Sequence, residues 1–434
     1  MILPTARTWV YPLSVNGRYQ RIHRLTGAAL QAVLFVTPWI NVGGHPAFQI
    51  DIAGRRLYAF GSVFTPADSL LLVLIGLAAA FSLFLFTAVF GRLWCGYACP
   101  QTVFLEEWIR PVENFLEGDR GKRMARDRGP WNFDKSWRKL VKWAVFLAMS
   151  FGVAMTFVSW FSGARILWTG GSGVVAYSMV AFFTALMFWD FAWFREQFCN
   201  YLCPYARFQG VLCDDHSLVV AYDEGRGEPR GKAGDANPGA CIDCLKCVAV
   251  CPQGIDIRDG FQLECVTCAR CVDACAAVMA KRGQPSLVTY STLSGQPRTI
   301  RARTVVYASL IGIVSVAFVA VLTSRHEADG YISRSPGSLY TVDADGWVRN
   351  TYLLRLTSHE NEADQWQVDI EGLPSAAEVS APQIVLDPAA TTTVPVVVRV
   401  PPGHLIERSI PLRVRVHSHD DELWMDTSFL SEGT

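Results

Sequence analysis

The 434-residue chain carries 39 basic and 39 acidic side chains, and a formal net charge of zero gives no sign of a nucleic-acid partner. With 51% hydrophobic and 12% aromatic residues and a mean hydropathy of +0.22, it is too apolar overall for an ordinary soluble enzyme; several bilayer spans joined to soluble parts are indicated. All 13 cysteines fall before residue 276 and eight of them form two ordered runs, which speaks for a reducing cytoplasmic compartment rather than a secreted disulfide framework.

The N-terminus is polar and basic, with Arg18, Arg21 and Arg24 ahead of the first apolar run and no convincing cleavage site, so it is expected to stay in the mature protein. Apolar stretches follow at roughly 25–43, 69–92, 140–161 and 173–194, and a fifth at roughly 304–323, each near the length of about 20 residues that a spanning helix needs. Nine lysines and arginines lie between Arg110 and Lys139, in the segment joining the second and third stretches, whereas the next loop has only Arg165. The basic side is the cytoplasmic one. Five spans then give a membrane domain over 1–210 with four spans, a cytoplasmic domain over 211–302, the fifth span at 303–324 and a periplasmic domain over 325–434 of a bacterial inner-membrane protein. His23 has no second spanning histidine to join it as a haem ligand.

The membrane half contains an internal repeat. Phe90-Gly-Arg-Leu-Trp-Cys95-Gly-Tyr97-Ala-Cys99-Pro100-Gln-Thr-Val-Phe104 aligns without a gap onto Phe194-Arg-Glu-Gln-Phe-Cys199-Asn-Tyr201-Leu-Cys203-Pro204-Tyr-Ala-Arg-Phe208. Each copy follows an even-numbered span, so two pseudo-symmetric hairpins are expected to bring four thiols together near the inner surface. Cysteines four apart on a helix share a face, and the prolines would free carbonyls in the preceding turn. Four convergent thiols favour Cu(I) or take part in thiol redox chemistry; the alternative is inert packing. Asp190, near the end of the fourth stretch, is either a proton-transfer group or a carboxylate paired at the interface. Cys213 stands outside the pattern and reads as a small buried residue.

Cys241-x2-Cys244-x2-Cys247-x3-Cys251-Pro252 and Cys265-x2-Cys268-x2-Cys271-x3-Cys275 follow. This is the bacterial ferredoxin spacing, in which the fourth cysteine of each run crosses to the other cluster. Cys241, Cys244, Cys247 and Cys275 are thereby assigned to one [4Fe-4S] cluster, and Cys265, Cys268, Cys271 and Cys251 to the other. Zinc is the competing use of C-x2-C pairs. Ala276 stands where ferredoxins usually carry proline, which is expected to leave the turn after Cys275 less fixed. No dinucleotide fingerprint or phosphate loop is present, and neither flavin nor quinone is indicated.

From about residue 330 the pattern changes to short alternating runs, such as Thr351–Leu356, Trp366–Ile370, Val394–Val400 and Leu412–Val416, separated by turn residues. Roughly seven such runs in about 100 residues predict an all-β sandwich of the immunoglobulin type. His417 and His419 share a strand face, either as a metal pair or as a solvated strand end. The fold class is therefore multi-domain: an α-helical membrane domain, a 2[4Fe-4S] ferredoxin domain and a C-terminal sandwich.

The twin Cys-x3-Cys-Pro motifs, the stretch Cys251-Pro-Gln-Gly-Ile-Asp-Ile257, the second run from Glu264 to Cys275, a fifth span and a sandwich tail, in that order, resemble the cytochrome c oxidase accessory protein family called FixG, RdxA or CcoG. The resemblance covers nearly the whole chain. It implies reduction of Cu(II) to Cu(I) for assembly of a cbb3-type oxidase, with Cys95, Cys99, Cys199 and Cys203 as the copper or redox site and the eight ferredoxin cysteines as the relay. The implied partners are a cytoplasmic electron donor and a copper chaperone or oxidase subunits. Two other classes stay open: a quinol-linked electron carrier and a non-redox assembly scaffold.

Overall fold

A computed structural model describes residues 9–42, 45–231, 239–295, 298–324, 328–358, 363–387, 390–404, 408–419 and 421–432. The chain divides into two compact units, one formed by the segments up to Trp39 and Leu74–Val316, the other by Ile40–Val73 with Ala317–Thr434.

Five long helices run through the chain: α1 (Arg18–Val36), α2 (Ser69–Phe90), α3 (Phe133–Ser162), α4 (Val174–Trp189, prolonged by a wider turn Asp190–Phe194) and α5 (Ala302–Thr323). Among the described residues, α2, α3, prolonged α4 and α5 are long and apolar enough to cross a membrane. The sequence accounts for their limits. Between Asp68 and Arg92 no charge interrupts α2. Helix α3 starts where the Asn132 side chain accepts from the Lys135 N–H at 2.8 Å and stops at Gly163, whose φ of 78° no helix tolerates.

The first predicted apolar stretch differs in position, and its helix is not among the four long and apolar enough to cross a membrane. Helix α1 begins at Arg18, not 25, and gives way to a 3-10 turn at Thr37–Trp39. Thr37 is still helical (φ −53°, ψ −41°), and Pro38, which has no N–H to donate, follows it in the 3-10 turn. The early start has a tertiary cause: the Asp273 carboxylate accepts from the N–H groups of Gln20 at 2.9 Å and Tyr19 at 3.2 Å, satisfying orphan donors of the first turn. At the other end the Trp160 indole donates to the Leu34 carbonyl at 3.2 Å, and Trp39 meets Trp168 with ring centroids 6.0 Å apart. Trp168 closes the short helix Ala164–Trp168 that joins α3 to α4. Helix α1 thus reaches from the cysteine-rich domain to the far ends of α3 and α4.

The cysteine-rich domain is bracketed by an antiparallel pair, Leu218–Tyr222 with Val288–Thr292, in the register Val220↔Tyr290. Val220, Ile257, Ala269, Val272 and Val288 form its core together with Cys247. It is fastened to the helical base by polar contacts: Arg110 Nη2 donates to the Pro252 carbonyl at 3.2 Å, Arg120 Nη1 to the Ala249 carbonyl at 3.3 Å, and Arg270 pairs with Glu106.

The second unit contains a two-sheet sandwich. One sheet has the order Glu378–Ser380, Thr391–Val400, Val348–Ser358, Ala328–Arg334, with Thr341–Val342 also on Val348–Ser358; the other runs Ile384–Leu386, Asp364–Glu371, Ser409–His417, Glu422–Leu430. Strict alternation in Val348–Ser358 sends Tyr352, Leu354 and Leu356 inward against Trp366, Val398 and Val416. The predicted runs lie inside these strands, and short edge strands raise their number above the expected seven. Segment Ile40–Val73 clusters with this unit and carries its own antiparallel strands, Phe48–Asp51, Arg56–Ala59 and Ser62–Phe64, which the apolar pattern did not mark. His417 Nε2 lies 3.0 Å from an Asp369 oxygen on the neighbouring strand.

Candidate iron-sulfur and thiol site

The eight clustered cysteines surround two apolar cavities. Cys251, Cys265, Cys268 and Cys271 line one, with Cys247 at its wall; Cys241, Cys244, Cys247 and Cys275 line a second. The grouping is the one the crossing rule assigns, and Cys247 is common to both cavities.

Both loops are wound the same way. Asp243 and Leu245 in the first run, and Thr267 and Ala269 at the matching places in the second, take left-handed φ values of 50° to 58°. None is glycine, so each is held there against its own preference. Backbone N–H groups also face the sulfurs: those of Gln253, Gly254 and Ile255 face Cys251, and that of Thr267 faces Cys265. Such a nest of donors suits an anionic sulfur cage. Among the described residues no three His, Cys, Asp or Glu side chains converge as a single ion requires. The thiols surround open space and do not meet at one tetrahedral point, an arrangement that suits a cubane.

The turn after Cys275 is a correction. Cys275 lies inside the helix Arg270–Met279, and Ala276 continues that helix where proline would have ended it.

The twin motifs also depart from the expected geometry. The first copy is a short helix, Leu93–Tyr97, that ends before Cys99; the second is a wide turn, Phe198–Leu202, that ends before Cys203. Cys99 (ψ 124°) and Cys203 (ψ 111°) are extended, and Pro100 and Pro204 start new helices. Proline biases the residue before it towards extended backbone, and here each pair straddles a break instead of sharing a helix face. The copies agree further upstream, where Gly91 (φ 59°) and Arg195 (φ 51°) occupy matched left-handed positions.

The four thiols are electrostatic neighbours: Cys95 feels Cys99 and Cys203, and Cys199 feels all three others. Burial, only partly opposed by the Arg92 guanidinium, pushes the Cys95 thiol up to about 11, and burial also raises Cys99 and Cys199. At Cys95, Cys99 and Cys199 burial thus favours the neutral thiol over an activated thiolate.

The first motif lies directly on the second cysteine loop. Cys95, Val266 and Cys268 pack in one buried cluster flanked by Tyr205. A Cβ on Gly96 would come 2.6 Å from the Val266 carbonyl oxygen and 2.9 Å from the Cys268 Cα. The Tyr97 hydroxyl pairs with that of Tyr290 at 3.1 Å, and Tyr290 donates to the Thr267 carbonyl at 2.8 Å. The two copies are tied by Gln209, fully buried on the helix that Pro204 starts. Its Oε1 accepts from the Cys95 thiol at 3.1 Å and from Arg92 Nε at 3.0 Å. Sequence reasoning missed Gly96, Arg92 and Gln209. The one available signal was that Gly96 faces Asn200 in the alignment, so only the first copy lacks a side chain there.

Asp190 is buried beside this junction; its backbone carbonyl accepts from the Arg195 N–H at 2.8 Å, while Gln101 Nε2 donates to the Arg195 carbonyl at 3.0 Å. His23 is also buried, with Nδ1 2.8 Å from Glu107 Oε1. Cys213 caps the helix Pro204–Leu212.

Spanning helices, two four-cysteine cavities and a thiol cluster against one of them define a membrane polyferredoxin. Residues 194–293 match the family described as "4Fe-4S dicluster domain", 72–123 that described as "4Fe-4S binding domain", and 318–432 an "IG-like fold at C-terminal of FixG". The chain is 36% identical to Protein RdxA of Cereibacter sphaeroides over 84% of its own length and 83% of RdxA, and 34% identical to Nitrogen fixation protein FixG of Rhizobium meliloti over 92% and 88%. It is 24% identical to Ferredoxin-type protein NapH of Escherichia coli over 43% of this chain and 59% of NapH. The chain belongs to the FixG/RdxA family and is a membrane iron-sulfur electron-transfer protein.

Proposed function

We propose that this protein reduces Cu(II), as substrate, to Cu(I) in the bacterial inner membrane and serves assembly of a cbb3-type oxidase. The observation that carries the reading is the packing of Cys95 and Gly96 on the Val266–Cys268 loop, which leaves no layer of protein between the membrane thiols and a four-cysteine cavity.

Cys241, Cys244, Cys247 and Cys275 would hold one [4Fe-4S] group and Cys251, Cys265, Cys268 and Cys271 the other; when bound, these groups supply one-electron transfer. The rest is the work of this chain's own residues. Cys247 joins the two cavities, and Tyr97 and Tyr290 fix the second loop against the base. Cys95, Cys99, Cys199 and Cys203 offer soft donors that favour the cuprous state, and two thiolates suffice for Cu(I). Their burial makes metal binding coincide with proton release. The oxidase destination, the copper chaperone or oxidase subunits and the cytoplasmic donor follow from the family resemblance.

Five spans fit this reading. Helix α1, about 28 Å long at 1.5 Å per residue, is taken as the fifth span alongside the four long apolar helices. Segment Ile40–Val73 and the sandwich then share the periplasmic side, in keeping with their common unit, and the basic Arg110–Lys139 segment and the cysteine domain share the cytoplasmic side.

Anaerobic Cu(I) titration of cluster-loaded protein against a chromogenic chelator tests the thiol site. Tight Cu(I) retained by wild type and lost in Cys95→Ser/Cys199→Ser, at equal iron content, is the expected result; equal retention removes these thiols as the copper site. A second reading, a quinol-linked carrier, is favoured by the partial likeness to NapH, and a stoichiometric quinone in the purified protein without copper reduction would put it first.

A further inference from the structure

A cavity of about 720 Å³ lies where α3 and α4 leave the apolar layer, away from the cysteines. Six cationic side chains line it, Arg123, Arg128, Lys135, Lys139, Lys142 and Arg195, against three carboxylates, Glu113, Glu117 and Asp127. The carboxylates are already engaged. Glu113 pairs with Arg195 at 2.5 Å and Arg123 at 2.7 Å, Glu117 with Lys142 at 2.9 Å and Asp127 with Lys139 at 2.7 Å. Arg128 and Lys135 have no carboxylate partner among the described residues; Lys135 Nζ donates to the Asp127 and Gly129 carbonyls and sits 4.9 Å over the Trp131 ring. The cavity therefore keeps an excess of positive charge.

Its other wall is apolar and leads into the bilayer. Trp143 lines the cavity, and exposed Leu147 and Phe151 follow it at four-residue intervals up the same face of α3. On α4, Trp193 lines the cavity, and Trp189 and Leu186 continue the exposed stripe. Tryptophans at this level mark the membrane boundary. A free anion would use the cations and leave both stripes bare. An acyl-bearing anion uses both.

We propose that this cavity is a binding site for the phosphate headgroup of an anionic phospholipid, with its acyl chains lying along the Trp143–Phe151 and Leu186–Trp193 faces. Basic pockets between helices at this level recognise such headgroups through charge-assisted hydrogen bonds. The site stands apart from the copper reading and does not depend on it.

The test uses the full chain in nanodiscs of phosphatidylcholine with or without phosphatidylglycerol, followed by gentle delipidation and native mass spectrometry. One phosphatidylglycerol should remain per protein, in preference to phosphatidylcholine and in the presence of excess inorganic phosphate. Arg128→Glu, at an exposed position, should lower that preference by about tenfold, with iron content and unfolding midpoint unchanged. Arg165→Glu, in the loop between α3 and α4, should leave it intact. Equal retention of the two lipids, displacement by inorganic phosphate, or an Arg128→Glu preference equal to wild type overturns the proposal.

Discussion

Gly96 and Cys268 meet backbone to backbone: a methyl group on Gly96 would stand 2.9 Å from the Cys268 Cα. The membrane motif and the cysteine loop therefore fit only because the residue between Cys95 and Tyr97 has no side chain.

Gly96→Ala should separate these surfaces. The obstructing atoms are backbone, which cannot rotate away, so overpacking of about 1–3 kcal/mol is expected. Iron content and the thermal loss of the visible cluster absorbance should show a labile second cluster, while Gly76→Ala, where a Cβ meets nothing within 4 Å, should match wild type.

Asp273→Ala removes the carboxylate that accepts from Gln20 and Tyr19 at the start of α1. Loss of a cap of this kind costs about 1 kcal/mol, and the first turn of α1 should fray. Hydrogen exchange of the Tyr19 and Gln20 amides should rise, with α3 amides unchanged.

Gln209→Leu leaves Arg92 Nε and the Cys95 thiol without their common acceptor in a buried place. An unsatisfied buried donor costs about 1–3 kcal/mol, more for a charged one. The unfolding midpoint should fall, whereas Gln209→Glu, which keeps an acceptor oxygen, should recover most of it.

Glu113 gives a pH dependence. Burial pushes its carboxyl up, but the Arg195 guanidinium, with Lys142 and Arg123, outweighs burial and holds it down from 4.5 to about 2. A depressed folded value means that the pair stabilises the protein above about pH 5 and that this stabilisation is lost as pH falls from about 4.5 towards 2. Glu113→Gln should destabilise by about 3–5 kcal/mol at pH 7, because it leaves buried cations unpaired, and its deficit relative to wild type should shrink below pH 4.5. Chemical denaturation across that range checks the sign.

What the sequence made legible had a short period or a fixed spacing. The cubane runs named two groups of four cysteines, and the cavities repeat that grouping because x2-x2-x3 spacing leaves the backbone little choice. Uncharged runs located α2, α4 and α5 within a few residues but missed the charged first two turns of α3 from Phe133, and alternation located the long sandwich strands. Contacts made at long range were not legible. The start of α1 depends on Asp273, 253 residues from Gln20, and Gln209 reaches Cys95 across 114 residues. Proline effects were misjudged for a local reason: a pair of cysteines four apart was read as one helix face, although the position before a proline is biased away from the helical region.

The central claim is that electrons held by the cysteine-rich domain reach copper at the twin motifs. The most direct measurement is anaerobic Cu(II) reduction by dithionite-reduced, desalted full-length protein, comparing wild type with Cys95→Ala/Cys199→Ala at equal iron content and equal cluster EPR intensity. Cu(I) formation by wild type and its loss in the double variant is the predicted result. Equal Cu(I) yields from both proteins would contradict it.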